Sequence, residues 1–218
     1  MQAPSGFIYK VCEVMVWVMR DAPRAVAFFD GQNLYRHAMA AFGHHHPNYD
    51  PVKLTDFCCR QLGWKNASVR FYAGMPSETE DPFWHKYWSR RTLSMRRASI
   101  NVVTRPLRYR DTRDTNPRRI AVEKGIDMRI GLDIMRLVWR GEADIILLFS
   151  QDQDMSEFNR EVKEVNRLNN TDIQIWPAFP AGPKASSLRG VAGAKWFRIN
   201  EQDYNRCLDA RDYRPKQR

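Results

Sequence analysis

Five consecutive apolar residues, IILLF at 145–149, end the segment ADIILLF (143–149), and a serine follows at once. A run of that kind has no polar face to give to water, so it reads as a central strand of a parallel sheet, covered on both sides. AVAFF at 25–29 has the same character and stops at Asp30. Between and after these two strands, helix-like and strand-like patterns alternate, which predicts crossover units and an α/β class. Helices are expected at residues 32–42, 51–62, 82–98, 124–140 and 158–168. Further strands are expected at 69–73, 100–104, 173–176 and 195–199, with a loop from 105 to 120. The helix over 124–140, carrying Ile126, Ile130, Leu132, Ile134, Leu137 and Val138, is expected to be largely buried.

The chain has 218 residues, enough for one domain with appendages, and an apolar fraction of 43% that can form a core. The pattern starts at Arg24, so residues 1–23 are read as an extension, the first 18 of them dispensable. Residues 24–200 form the domain, and 201–218 are read as a basic tail that frays beyond Arg206. The apolar stretch at 11–19 is too short to span a bilayer and contains Glu13, so no membrane association is expected. Cys12, Cys58, Cys59 and Cys207 show no CxxC spacing, which argues against a zinc site or a disulfide scaffold and for a reducing, cytoplasmic setting.

Both strong strands lead into aspartate, at Asp30 and at Asp152 and Asp154 in SQDQD. Carboxylates crowded beyond buried strand ends repel one another and lose hydration, so they stay ionised only beside positive charge. A hard divalent cation with oxygen ligands, Mg²⁺ or Mn²⁺, meets that need. Asp127, in the first turn of the helix after EKG, is a third acid able to join them. Asp133 lies about 240° round that helix and about 9 Å along it, so a supporting role suits it better. Asn33 is placed to orient a water or to hold Asp30. Taken singly, each of these residues is more often a helix cap; as a set, they favour a shared ion.

DGQNLY at 30–35, EKGIDMRIGLD at 123–133 and SQDQDM at 150–155, in that order, resemble the signature of NYN domains, the LabA-like branch of the PIN-like nuclease superfamily. SSLRGVAGAKWFRI at 186–199 is similar to the family's closing segment. The resemblance implies a Rossmann-like α/β/α sandwich with a mainly parallel sheet, a divalent metal held by acids, and endonuclease activity on RNA. By position it assigns catalysis to Asp30, Asn33, Asp127, Asp152 and Asp154, the four aspartates also holding metal, with Ser150 as the hydroxyl that leads the last pair. Gln151 and Gln153 stand where a typical member has glycine, and Met155 stands where it has an aromatic residue. Their bulk is expected to narrow the pocket, so the alternative is a catalytically weak or inactive nucleic-acid-binding or interaction module on the same fold.

The net charge of +10 favours polyanionic partners. Between Lys86 and Arg119 there are eleven Lys and Arg against Asp111 and Asp114, whereas residues 120–173 are net negative. Loop bases are the better phosphate ligands: Arg105, Arg108, Arg110, Arg113, Arg118 and Arg119, with Lys124 beside the acids. Arg90, Arg91, Arg96 and Arg97 read as a solvated helix face. Trp84, Tyr87 and Trp88, at helical spacing, read as core-facing more than base-stacking, and His44, His45 and His46 as a solvated turn. RNA is therefore the expected partner, and a homodimer is left open. Gln32, two residues after Asp30, excludes the second aspartate of haloacid-dehalogenase phosphatases, and the lack of GxGxxG and GxxxxGK[ST] disfavours dinucleotide and P-loop functions.

Overall fold

The computed structural model describes residues 21–112, 119–185 and 189–215. Within them the order is β1 (Arg24–Asp30), α1 (Gly31–Phe42), α2 (Pro51–Leu62), β2 (Lys65–Met75), α3 (Pro82–Arg97), β3 (Asn101–Pro106), β4 (Arg108–Asp111), β5 (Arg119–Val122), α4 (Ile126–Arg140), β6 (Ile145–Phe149), α5 (Met155–Asn169), β7 (Gln174–Pro180), β8 (Phe197–Ile199) and α6 (Glu201–Arg206). Six strands form one sheet in the order β3-β2-β1-β6-β7-β8, every pairing parallel. The chain winds outward from β1 to β3, then returns to the other side of β1 and winds outward again. The reversal therefore lies between β1 and β6, where open parallel sheets leave a crevice beyond the strand ends.

Alternation along β1 divides the interior in two. Ala25, Ala27 and Phe29 enter the cluster shared with α1, α2 and α6, while Val26 and Phe28 enter the one shared with α4 and α5. A strand with no solvent face has to be apolar throughout, which is why AVAFF and IILLF are so legible. Phe29 stacks on Phe149 with ring centroids 4.0 Å apart and packs against Phe71 and Tyr49. Helix starts follow ordinary capping chemistry: Asp50 and Asp81 each accept backbone N–H groups immediately ahead of Pro51 and Pro82.

Several expectations need correction. The 105–120 loop is instead the end of β3 followed by an antiparallel β4-β5 hairpin. β4 (RYRD) sets Tyr109 among three charged residues and β5 (RIAV) is only four residues long and mostly exposed, so the apolar signal for strand was weak. Arg91 is fully buried: its guanidinium donates to the Tyr49 carbonyl (2.7 Å) and the Tyr87 hydroxyl (2.9 Å), and it lies over the Tyr49 and Trp88 rings. Aromatic faces and carbonyls replace water around it. Leu132 is 47% exposed, and with Met128 and Trp139 it forms an outward apolar stripe on α4. The segment after Arg206 does not fray over its described part. Leu208 bridges Tyr49, Asp209 donates its N–H to the Asn48 carbonyl, and Tyr213 is buried against Tyr87. His44 is half-buried and stacks on Tyr204, so it does not belong to a solvated turn.

No helix among the described residues is long and apolar enough to cross a membrane. Cys58, Cys59 and Cys207 are free and buried, and burial pushes each thiol above its ordinary range.

Because Phe29 joins β1 to β6 by direct ring contact, Phe29→Ala is expected to destabilise the fold by about 3–5 kcal/mol. A urea titration checks this: the midpoint should fall with the slope unchanged.

Candidate functional site

Asp30 ends β1 and opens α1, where its carboxylate accepts the Asn33 N–H at 2.9 Å. The helix starts tight against the sheet because residue 31 is glycine; a Cβ there would lie 2.6 Å from Phe71 Cζ and 2.9 Å from the Tyr72 carbonyl oxygen. Beside it, the turn after β6 is tied to α1 by a hydrogen bond from the Gln151 N–H to Asn33 Oδ1 (3.0 Å). Asn33 thus couples the two strand ends and does not reach Asp30 through its side-chain amide; its backbone does that.

Asp30, Asp127 and Asp152 line one cavity of about 260 Å³, together with Asn33, Arg36 and Lys124. Three separate elements deliver those carboxylates: the end of β1, the first turn of α4 and the turn after β6. Asp30 is 6% exposed, and its pKa is raised to about 6, first by burial and then by the charges of Asp152 and Asp127. Backbone N–H groups of Asn33 and Gln32 only partly offset this. Ser150 is buried, and its hydroxyl accepts the Asp152 N–H at 3.2 Å, which fixes the turn that carries Asp152.

Glu123 is a fourth acid at the site, beyond the aspartates the sequence pointed to. It lines the same cavity, accepts the Gly74 N–H at 2.5 Å, and is raised to about 7 by burial and then by the Asp30 charge. Its signal was present in the EKGID segment, directly before Lys124.

Two expected participants stand elsewhere. Asp154 is exposed at the start of α5 and outside the cavity. Asp133 is buried on the far part of α4, where Arg129 (2.9 Å), Arg136 (3.0 Å) and the Tyr72 hydroxyl (3.0 Å) donate to it, so its charge is matched locally. Neither Gln151 nor Gln153 narrows the cavity. Their amides donate instead to carbonyls of the neighbouring segment, Gln151 to Arg189 (2.8 Å) and Gln153 to Gly190 (3.1 Å), and brace the turn from outside.

Basic residues surround the cavity unevenly. Arg36 and Lys124 line it, and Arg105 lies at its edge, with Nη1 3.0 Å from where a Cβ on Gly125 would stand. Gly125 itself has φ +77°, which a glycine adopts without strain. Arg108 and Arg110 are exposed on β4, while Arg119 is paired with Glu80 at 2.9 Å. Arg113 and Arg118 lie outside the described residues, as does the start of the closing segment at 186–188.

The family model for the NYN domain matches residues 24–192. The chain belongs to the NYN family. NYN domains are part of the PIN-like nuclease superfamily, and the parallel six-stranded sheet flanked by helices agrees with its α/β sandwich. A protein of unknown function from Vibrio parahaemolyticus, solved by crystallography, shares the fold with TM-score 0.55 and 18% identity over 85% of this chain and 99% of its own. The crystal structure of MurG from Acinetobacter baumannii gives TM-score 0.30 and 11% identity over 81% of this chain and 45% of its own, too remote to bear on the fold. No curated protein matches the chain.

PIN-like nucleases usually use divalent metals. In this NYN domain the donor set is all oxygen, and among the described residues none of Asp30, Asp127 and Asp152 has an ion-pair partner of its own. Also among the described residues, no three His, Cys, Asp or Glu side chains stand close enough to hold one ion directly. Mg²⁺ normally keeps several waters and takes one or two carboxylates, so the residues suit an ion bound partly through water.

Asp30 and Glu123 bind protons more tightly folded than unfolded, so they cost the folded state nothing at low pH and penalise it as pH rises from about 4 to about 7. With EDTA present, the double variant Asp30→Asn, Glu123→Gln is expected to match wild type near pH 4 and to exceed it at neutral pH and above. The shift of Asp30 alone sets a scale of about 3 kcal/mol. Urea midpoints at the two pH values measure it.

Proposed function

We propose that this NYN protein is a metal-dependent endoribonuclease of the LabA-like branch that hydrolyses RNA phosphodiester bonds with bound Mg²⁺ or Mn²⁺. The observation that carries the reading is the Asp30 carboxyl: buried at a strand end, facing Asp127 and Asp152, with no arginine or lysine among the described residues paired to it. Such an arrangement is costly for stability alone and suits a site awaiting a cation.

Asp30, Asp127 and Asp152 would hold the ion, directly or through its waters. When bound, it supplies charge neutralisation at the phosphate and a lowered pKa for water. Arg36 and Lys124 meet the non-bridging oxygens of the same phosphate, and Arg105, Arg108 and Arg110 hold the flanking backbone by charge. Glu123, held near neutrality in its proton affinity, is suited to take or return a proton at the cavity wall. Asn33 and Ser150 position the two strand ends through the hydrogen bonds already described.

A second reading, a nucleic-acid-binding module without turnover, is favoured by one observation: among the described residues, no three acids are already gathered to bind an ion directly. Incubating single-stranded and structured RNA with the protein and Mn²⁺, then adding EDTA, separates the two. Cleavage that stops with EDTA is expected. Asp152→Asn should lower the rate at least about a hundredfold with an unchanged melting temperature; a fully active variant would remove Asp152 from the mechanism.

RNA affinity is expected to fall steeply with salt, because Arg105, Arg108 and Arg110 neutralise phosphates. Replacing all three with alanine should reduce the slope of log affinity against log salt by about 2, at about 0.7 per contact with a single strand.

A further inference from the structure

A second cavity, of about 190 Å³, lies on the other side of Gln32 and Glu123, the two residues it shares with the acidic one. Its walls are aromatic: Trp84 and Trp88 from α3, Tyr35 from α1 and Tyr109 from β4. Each ring is braced from behind. Trp84 meets Phe83 and Tyr87 edge to face at 5.5 and 5.1 Å, and Trp88 packs on Phe71 at 6.0 Å. The Tyr35 hydroxyl donates to the His45 carbonyl at 2.8 Å, and the Tyr109 hydroxyl accepts the Ser77 N–H at 2.9 Å. The floor is equally set, since a Cβ on Gly74 would lie 2.2 Å from Leu107 Cδ2 and 2.7 Å from Glu123 Oε2.

The cavity is smaller than the usual ligand pocket of roughly 300 Å³ or more, which limits its occupant to a single ring system. Its lining is not uniformly apolar. Asp81, whose Oδ1 accepts the Trp84 backbone N–H at 3.2 Å, lines it together with Glu123 and Gln32. A purely hydrocarbon guest would strip water from two carboxyl groups and an amide without replacing their hydrogen bonds. A planar heterocycle with polar edges satisfies both the aromatic faces and those groups. The negative charge of a phosphate has no counter-ion among these walls, whereas Arg36 and Lys124 provide one in the neighbouring cavity.

We propose that the aromatic cavity takes one unpaired nucleobase of the nucleic acid whose phosphate occupies the acidic cavity next to it, so that the chain selects single-stranded or looped substrate. This rests on the nuclease reading for the neighbouring site. A base in a duplex is paired and stacked, so entry would first require extruding it at a cost of a few kcal/mol. In an unpaired strand that cost is largely absent, and stacking on an aromatic wall adds affinity without reading the sequence.

The test measures binding of the full chain in EDTA, with no cleavage, to three probes by fluorescence anisotropy: a single-stranded RNA hexamer, the same sugar-phosphate hexamer lacking every base, and a duplex of the same sequence. Trp84→Ala is expected to weaken the intact single strand by roughly fivefold to a hundredfold and to leave the baseless strand and the duplex unchanged. Trp84→Phe, which keeps an aromatic face, is expected to retain most of the affinity. Trp84 is only half-buried and lies outside both core clusters, and an unchanged melting temperature would show that the variant folds. Equal effects on all three probes, or none on any, would overturn the proposal. Trp84-dependent binding without Mn²⁺-dependent cleavage would leave the base pocket standing and remove the nuclease reading. Cleavage combined with indifference to Trp84 would do the reverse.

Discussion

Burial of β1 on both faces is the constraint on which everything else depends. Flanked by β2 and β6 and covered above and below by two apolar clusters, the strand can tolerate a charged residue only where it leaves the sheet. Asp30 sits at that point. Its burial follows from the strand's position, and its raised proton affinity follows from burial. Because β6 is the neighbour across the reversal of strand order, its own carboxyl end brings Asp152 alongside, and the crossover into α4 brings Asp127 and Glu123. One topological fact thus places four acids around a single cavity.

The molecule shows elsewhere how it treats a buried charge that has only a structural role. Asp133 is as buried as Asp30, yet it receives three donors, two of them arginines. Arg91, the largest of the fully buried side chains, is surrounded by carbonyl, hydroxyl and aromatic faces. Against those two sites the acidic cavity stands out because, among the described residues, nothing of opposite charge is ion-paired to its acids. Arg36 and Lys124 line it without neutralising Asp30, and that imbalance separates a site from a stabilising cluster.

The NYN family and the α/β sandwich were legible in the chain because central strands of a parallel sheet cannot hide their composition, and because three motifs recur in order. That Asp30, Asp127 and Asp152 stand at element boundaries was legible for the same reason: Asp30 ends β1, Asp152 follows β6 by three residues, and Asp127 lies in the first turn of α4. Asp154 was misread because two aspartates in one turn look equivalent in a string, while backbone geometry sends one into the cavity and the other into solvent. Gln151 and Gln153 were misjudged in the same way. Their direction, toward the 189–190 carbonyls, is a property of the turn and not of their size.

By itself, then, the amino-acid sequence determined the class of fold, the order along the chain of the six strands of the main sheet and the identity of the residues at their ends, since these depend on local polarity and periodicity. Only the tertiary structure decided which charges face one another, that Glu123 joins the cavity, that Arg91 belongs to the interior, that Cys207 and Tyr213 tie the segment after Arg206 to the domain, and that an aromatic cavity adjoins the acidic one. Those outcomes depend on distances between residues far apart in the chain. Electrostatic and packing energies vary with such distances, and no local pattern encodes them.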